Sequence, residues 1–201
     1  MVQAQHTRLL SPDFSLVSML YYGGAGGDFP FGYYNENDNL VQINYPLQND
    51  HHGITSTLNY ASGDGSFNAH TGVHGYIFKR NNRESVLPDD ENPYYDEHSQ
   101  KDELSIFGKA DYRFGKMSLY GDVQLRTLRY TIQPDQRILP GASDVTKRWT
   151  FINPRAGASY NLNKRTHLFL SYGRSGREPT RVDLLGGFQL NAGNLPSLAR
   201  G

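Results

Sequence analysis

The sequence predicts an all-β protein: a partial antiparallel transmembrane β-barrel, about seven up-and-down strands of a larger barrel. Three observations predict it: long stretches with a period of two, a regular sorting of long and short connections, and a composition too polar for a packed soluble core. Over residues 102–131, Leu104, Ile106, Gly108, Ala110, Tyr112 and Phe114 fall on one face, and Ser105, Lys109, Asp111 and Arg113 on the other, with Phe107 the misfit. Gly115 and Lys116 turn the chain, after which Met117, Leu119, Gly121, Val123 and Leu125 alternate with Ser118, Tyr120, Asp122, Gln124 and Arg126. That alternation makes a strand with one dry and one wet face. Soluble strands run to about 5–6 residues. These arms exceed the roughly 9–11 that a tilted strand needs to cross a bilayer.

In chain order the strands are expected at Phe14–Tyr22, His52–Tyr60, Phe67–Lys79, Asp102–Phe114, Met117–Thr131, Arg148–Tyr160 and Thr166–Gly173. Short turns join them at Ala61–Ser66 (ASGDGS), Gly115–Lys116 and Asn161–Arg165 (NLNKR), and long polar stretches at Gly23–His51, Arg80–Lys101 and Ile132–Lys147. Outer-membrane barrels keep periplasmic turns short and outer loops long, and a soluble sandwich has no reason to sort its loops so. The long stretches are therefore expected outside the cell and the short turns in the periplasm. Leu104, Ile106, Leu119 and Val123 should face lipid, and Lys109, Asp111, Asp122 and Arg126 the lumen. Tyr21, Tyr22, Tyr60, Tyr160 and Tyr172 stand at strand ends, where an interfacial girdle would sit.

Twenty basic and twenty acidic residues cancel, so nothing in the charge points to nucleic acid. Hydrophobic content is 37%, low for a soluble core but suited to strands with only one apolar face. With no cysteine, disulfides and thiolate metal sites are excluded. No run of 18 apolar residues offers a transmembrane helix, and Met1–Gln5 lacks a signal-peptide pattern. Seven strands cannot close a bacterial barrel, so residues 1–201, ending on Leu198-Ala199-Arg200-Gly201, are expected to be one incomplete barrel domain, an internal piece inactive alone.

The most specific strings are Phe151-Ile152-Asn153-Pro154-Arg155-Ala156-Gly157 and Ser171-Tyr172-Gly173-Arg174-Ser175-Gly176-Arg177-Glu178-Pro179-Thr180-Arg181-Val182-Asp183. Together they resemble the TonB-dependent receptors of the outer membrane, in the branch common in Bacteroidetes. The likeness covers most of 51–187 and is densest at 149–183. It implies a barrel of roughly 22 strands filled by a plug domain, ligand capture from outside, and import driven by the TonB complex. The implied ligand is a scarce small molecule such as an iron chelate (a siderophore complex) or cobalamin, with no cofactor and no chemical step. The plug and the segment that meets TonB are not found in this chain. Asn153, Pro154, Arg155, Gly157, Arg174, Arg177, Glu178, Pro179, Arg181 and Asp183 are the family-motif positions, and the resemblance assigns them no defined role.

Arg174, Arg177, Glu178 and Arg181 read either as an inward cluster that meets the plug or an anionic chelate, or as an ion-pair network fixing the strand exit; the second is the commoner arrangement. His70 and His74 would lie about 13 Å apart on one face of a strand, too far to share a metal. His51-His52 and His98, in or near loops, could reach a metal chelate but are more simply solvated. Asp89, Asp90 and Glu91, with Asp96 and Glu97, lack calcium-loop spacing and read as a solvated outer loop. Gly23-Gly24-Ala25-Gly26-Gly27 lacks the Lys-Ser/Thr and helix of a phosphate cradle and reads as a mobile loop. The sequence supports no nucleophile or acid–base constellation, so no enzyme is expected. The rival reading is a secreted or surface β-sandwich that binds glycans through Tyr-rich loops.

Overall fold

A computed structural model describes residues 1–89, 91–185 and 193. Its strands are β1 (Val2–Leu9), β2 (Phe14–Gly27), β3 (Pro30–Tyr34), β4 (Leu40–Asn44), β5 (Leu47–Ala61), β6 (Phe67–Val86), β7 (Tyr95–Phe114), β8 (Met117–Gln133), β9 (Val145–Asn163) and β10 (Thr166–Gly173), followed by a short helix, α1 (Arg181–Leu185). Eight of them form one antiparallel meander in the order β1-β2-β5-β6-β7-β8-β9-β10. The β3–β4 hairpin rises from the β2–β5 connection, and Ile43 and Asn44 of β4 pair with Val86 and Ser85 of β6. Among the described residues β1 pairs only with β2 and β10 only with β9, so the sheet is not closed. One continuous meander is not two packed sheets, which removes the sandwich alternative.

All seven expected strands are present, with three additions. β1, β3 and β4 lie where no strand was expected, and the long stretches prove shorter because strands run on into them. β6 and β7 each hold 20 residues, roughly 65 Å of strand. That is far more than a bilayer needs, so their upper parts stand clear of the hydrocarbon. The glycine run Gly23–Gly27 is the end of β2, and His51 and His52 lie inside β5, so neither is a loop. Glu97 and His98 likewise belong to β7. Asp90 of the acidic stretch and the terminal Leu198–Gly201 lie outside the described residues.

The alternation settles which way each strand faces. On the outer face Leu20, Ile54, Val73, Leu104, Ile106, Val123, Leu125, Ile152, Leu168 and Leu170 are all exposed, forming an apolar belt. The registry sets Lys109 opposite Asp122 and Ser105 opposite Arg126 on the other face, as the hairpin pattern predicted. Phe107, the misfit, sits on this inner face opposite Gly72 and Gln124. A Cβ on Gly72 would come within 2.8 Å of the Phe107 ring and 2.4 Å of the Ser56 carbonyl, so only glycine leaves the ring its place. At the short-turn rim the outer face carries an aromatic row. Phe14, Tyr60, Phe67 and Tyr112 follow one another with centroid separations of 4.7, 5.9 and 6.3 Å. Rings at that level suit a membrane–water interface. Tyr60 belongs to this girdle, but Tyr21 points inward from the middle of β2.

Candidate functional site

The inner face holds two clusters, and the residues after β10 complete the first. Beyond Gly173 the chain turns back over the sheet. The Arg174 N–H donates to the Pro154 carbonyl at 3.0 Å, and the Gly176 N–H donates to Asn153 Oδ1 at 2.8 Å. Asn153 in turn donates to Gln124 Oε1 at 3.3 Å. Pro154 fits in β9 because β10 ends at the Gly173–Arg155 pair, so that side of the strand is an edge there.

Glu178 then reaches the inner wall. It accepts from Lys101 of β7 and forms an ion pair with Arg126 of β8 at 2.9 Å. Burial pushes its carboxyl up, but the Lys101 ammonium and the Arg126 guanidinium outweigh that and hold it below the usual carboxylate range. Arg126 also contacts Glu103 at 2.6 Å, and Glu103 accepts from Tyr76 at 2.9 Å and Ser105 at 3.0 Å. The Glu103 and Arg126 side chains are only 6% and 16% exposed, so these charges need one another.

One turn further on, Thr180 caps α1. Its hydroxyl accepts the Asp183 N–H at 3.2 Å, while Asp183 accepts the Thr180 N–H at 3.0 Å. The Asp183 carboxyl is held low first by the Thr180 hydroxyl and then by its N–H, with the Arg177 charge adding to both. Arg181 donates to both carboxylate oxygens of Glu97, at 2.7 and 2.8 Å, and Tyr95 donates to the same group at 2.5 Å. Glu97 is fully buried. Leu185 closes the arrangement against Ile132, Leu139 and Val145, a small apolar core formed with the 134–144 connection. Residues 174–185 thus form a latch over the inner surface of β7–β9.

The structure brings Asn153, Glu178, Arg181 and Asp183 into this latch. Arg155 stands apart in an ion pair with Asp122 at 3.1 Å. Gly157 serves packing: a Cβ there would lie 2.4 Å from the Tyr120 ring. The partners of the latch, Glu97, Lys101, Glu103 and Arg126, were not nominated as a site from the sequence. The hairpin pattern did turn Arg126 inward, but nothing local announces a partner 52 residues away.

The second cluster lies on β2, β5 and β6. Tyr21, Gly53 and Tyr76 stand in one row across the three strands. The Tyr21 ring covers Gly53, where a Cβ would meet its hydroxyl at 2.5 Å. The Tyr21 hydroxyl lies 2.9 Å from His74 Nε2 and 3.4 Å from His51 Nε2. His51 packs edge-on against Tyr76 with centroids 4.9 Å apart. His70 shares the inner face but bonds Asn59 at 2.7 Å instead. His98 lies 3.6 Å from Asp96. Among the described residues no group of three His, Cys, Asp or Glu side chains is placed to hold a metal.

A two-faced meander with an apolar belt outside and a hydrogen-bonded polar lining inside defines the class: the wall of a membrane β-barrel. The chain belongs to the TonB-dependent receptor-like β-barrel family, whose model matches residues 1–199. This is a family of outer-membrane receptors, transporters rather than enzymes. The ferric-catecholate import receptor Fiu from E. coli K12, in its open form, aligns with a TM-score of 0.69 at 13% identity, over 88% of this chain and 35% of its own. The copper transporter OprC aligns with a TM-score of 0.76 at 14% identity, over 94% of this chain and 32% of its own. The ferric citrate transporter FecA, unliganded, aligns with a TM-score of 0.66 at 8% identity, over 84% and 26%. At such identities the likeness is one of fold, and the chain spans about a third or less of each of these proteins. Comparison with curated proteins returns no match.

Proposed function

We propose that residues 1–201 are a single stretch of barrel wall in an outer-membrane receptor. The receptor captures a scarce small molecule, such as an iron chelate or cobalamin, and passes it inward under TonB control with no chemical step. The observation that carries this reading is the latch. A charged inner surface is matched by a segment laid over it, as expected of a lumen that holds other polypeptide and hydrated cargo rather than a packed core. The family-motif residues Glu178 and Arg181 serve in this reading to hold the 174–185 segment against the wall. The connections 28–46, 87–94 and 134–144 face outward, and the turns 10–13, 62–66, 115–116 and 164–165 face the periplasm.

The test is uptake of labelled ferric chelates and cobalamin by cells carrying the full-length receptor, with and without a working TonB complex. TonB-dependent accumulation of one of them supports the proposal; accumulation indifferent to TonB overturns it. For topology, a tag at Gly141 should be reached by antibody on intact cells and one at Asn163 only after permeabilisation. The reverse pattern would invert the wall.

A further inference from the structure

We infer that the outer face, just above the apolar belt, carries a binding site for a phosphorylated lipid of the outer leaflet. Arg129 and Arg148 hold its phosphate, and a groove at Gly75 takes the start of an acyl chain. Asp102, Arg129 and Arg148 stand in one row across β7, β8 and β9, with the two arginines directly opposite each other. Such a pair has its Cβ atoms about 5 Å apart, and like charges so placed repel. Asp102 accepts from Arg129 Nε and Nη2, at 2.9 and 2.5 Å, and so engages one edge of one guanidinium. Arg148 is exposed and, among the described residues, has no acidic partner. One row higher, exposed Lys79 stands opposite Asp50, whose carboxylate accepts from Tyr22 at 2.8 Å. Among the described residues of these two rows the carboxylates of Asp50 and Asp102 leave one cation in surplus, and it is Arg148. A phosphate between the arginines would turn their repulsion into two charge-assisted contacts, and its oxygens suit the guanidinium fork.

The surroundings select a lipid rather than a free anion. The next row toward the belt is Ile54, Gly75 and Leu104 across β5, β6 and β7, about 7 Å along the strands from the arginines. Gly75 leaves a gap in it. A groove of about 1030 Å³ opens there, lined by Leu20, Ile54, Ile77 and Leu104 together with Arg129 and Arg148. At Gly53 and Gly72 a Cβ would collide with its surroundings, but at Gly75 it would meet nothing nearer than the Glu103 carbonyl at 3.5 Å. Packing within the sheet therefore does not require this glycine, and a glycine inside a strand is a place where a ligand can approach closely. An apolar groove with cations on its outward rim is the complement of an acyl chain below a phosphate. The inference rests on the proposed topology only in naming the outer leaflet. Binding in detergent depends on neither orientation, uptake nor TonB, so its failure is distinguishable from theirs.

The experiment adds dioleoyl phosphatidic acid to the purified full-length receptor in a non-ionic detergent and counts bound lipid by native mass spectrometry. Phosphatidic acid should bind about tenfold or more tightly than phosphatidylcholine with the same chains, and glycerol 3-phosphate, which has the phosphate without chains, more weakly than phosphatidic acid. The double variant Arg129→Gln, Arg148→Gln should weaken binding by about 25-fold, since each cation near an anionic lipid surface contributes about fivefold. Gly75→Val, which fills the groove, should weaken it by about fourfold, the burial of roughly one methylene. Arg8→Gln, at the short-turn end of β1 on the same face, should bind as the parent does. Should the double variant fail to fold, the comparison of the two lipids on the parent still decides. Phosphatidylcholine bound as tightly as phosphatidic acid, or a double variant that binds as the parent does, overturns the site. Glycerol 3-phosphate bound as tightly as the lipid overturns its assignment to lipid.

Discussion

Across β7–β9 the inner surface carries full charges, and across β2, β5 and β6 it carries rings. In the charged region Glu103 and Arg126 are nearly buried, and the arrangement balances only because Glu178 arrives from the 174–185 segment. In the aromatic region the Tyr21 hydroxyl and the His51 and His74 rings satisfy one another without that segment, Tyr76 packs against both imidazoles, and Gly53 supplies the space. The difference shows two ways to keep a wet wall ordered. Ion pairs demand a covering chain, because an unpaired charge of low exposure costs far more than an unpaired hydroxyl. Rings that hydrogen-bond one another demand only room. Tyr76 joins the regions, lying among the rings while bonding Glu103.

The sharpest way to break this comparison is Arg126→Met, which leaves Glu103 and Glu178 facing each other without their shared cation. It should cost about 3–5 kcal/mol in denaturant unfolding of the assembled barrel. Tyr21→Phe, its counterpart among the rings, should cost about 1 kcal/mol. Equal losses would erase the distinction between the regions. Next comes the face rather than the region: Val123→Arg should cost about 2–4 kcal/mol if near the midplane, and Gln124→Arg little, measured by folding into lipid vesicles. Gly53→Ala follows, at about 1–3 kcal/mol from overpacking, since its Cβ would stand 2.5 Å from the Tyr21 hydroxyl and 2.6 Å from the Gly75 carbonyl.

The smallest effect lies in the turn beneath the rings. Asp64 accepts from the Ser62 hydroxyl and from the N–H and hydroxyl of Ser66, which lower its carboxyl to about 2. A folded value below the unfolded one means that the turn is favoured above roughly pH 4 and loses that support as pH falls through about 2. Asp64→Asn should remove this pH dependence, read from amide exchange at Ser66 and Phe67. An unchanged profile would show that the turn does not rely on the carboxylate.

How much of this was legible in the sequence depended on where lipid lies. Between Leu104 and Leu125 one face meets hydrocarbon, so the alternation is plain and both faces were read correctly. Above that level both faces meet water, the contrast disappears, and Arg80–Glu84 and Tyr95–Ser99 read as loop although they pair residue for residue. β1 escaped for a related reason: VQAQHTRL carries too few apolar residues to announce a face. The clusters were hidden differently. His51 and His74 stand on adjacent strands four residues out of register, and only the Tyr21 hydroxyl, reaching across Gly53 from a third strand, links them. Glu178 stood out as part of a motif, yet its partners are set by a fold that local pattern does not encode.

The latch also orders events in time. Arg181 and Glu97 are separated by 84 residues, and Arg181 and Tyr95 by 86. Closing so long a loop has to wait until β7, β8 and β9 have paired, each through a connection much shorter than that. The contact is therefore expected to form after that pairing and to contribute little to the folding transition state. Its strength governs how slowly the finished wall comes apart, not how quickly it forms. Arg181→Gln accordingly speeds unfolding of the barrel while leaving its folding rate almost untouched.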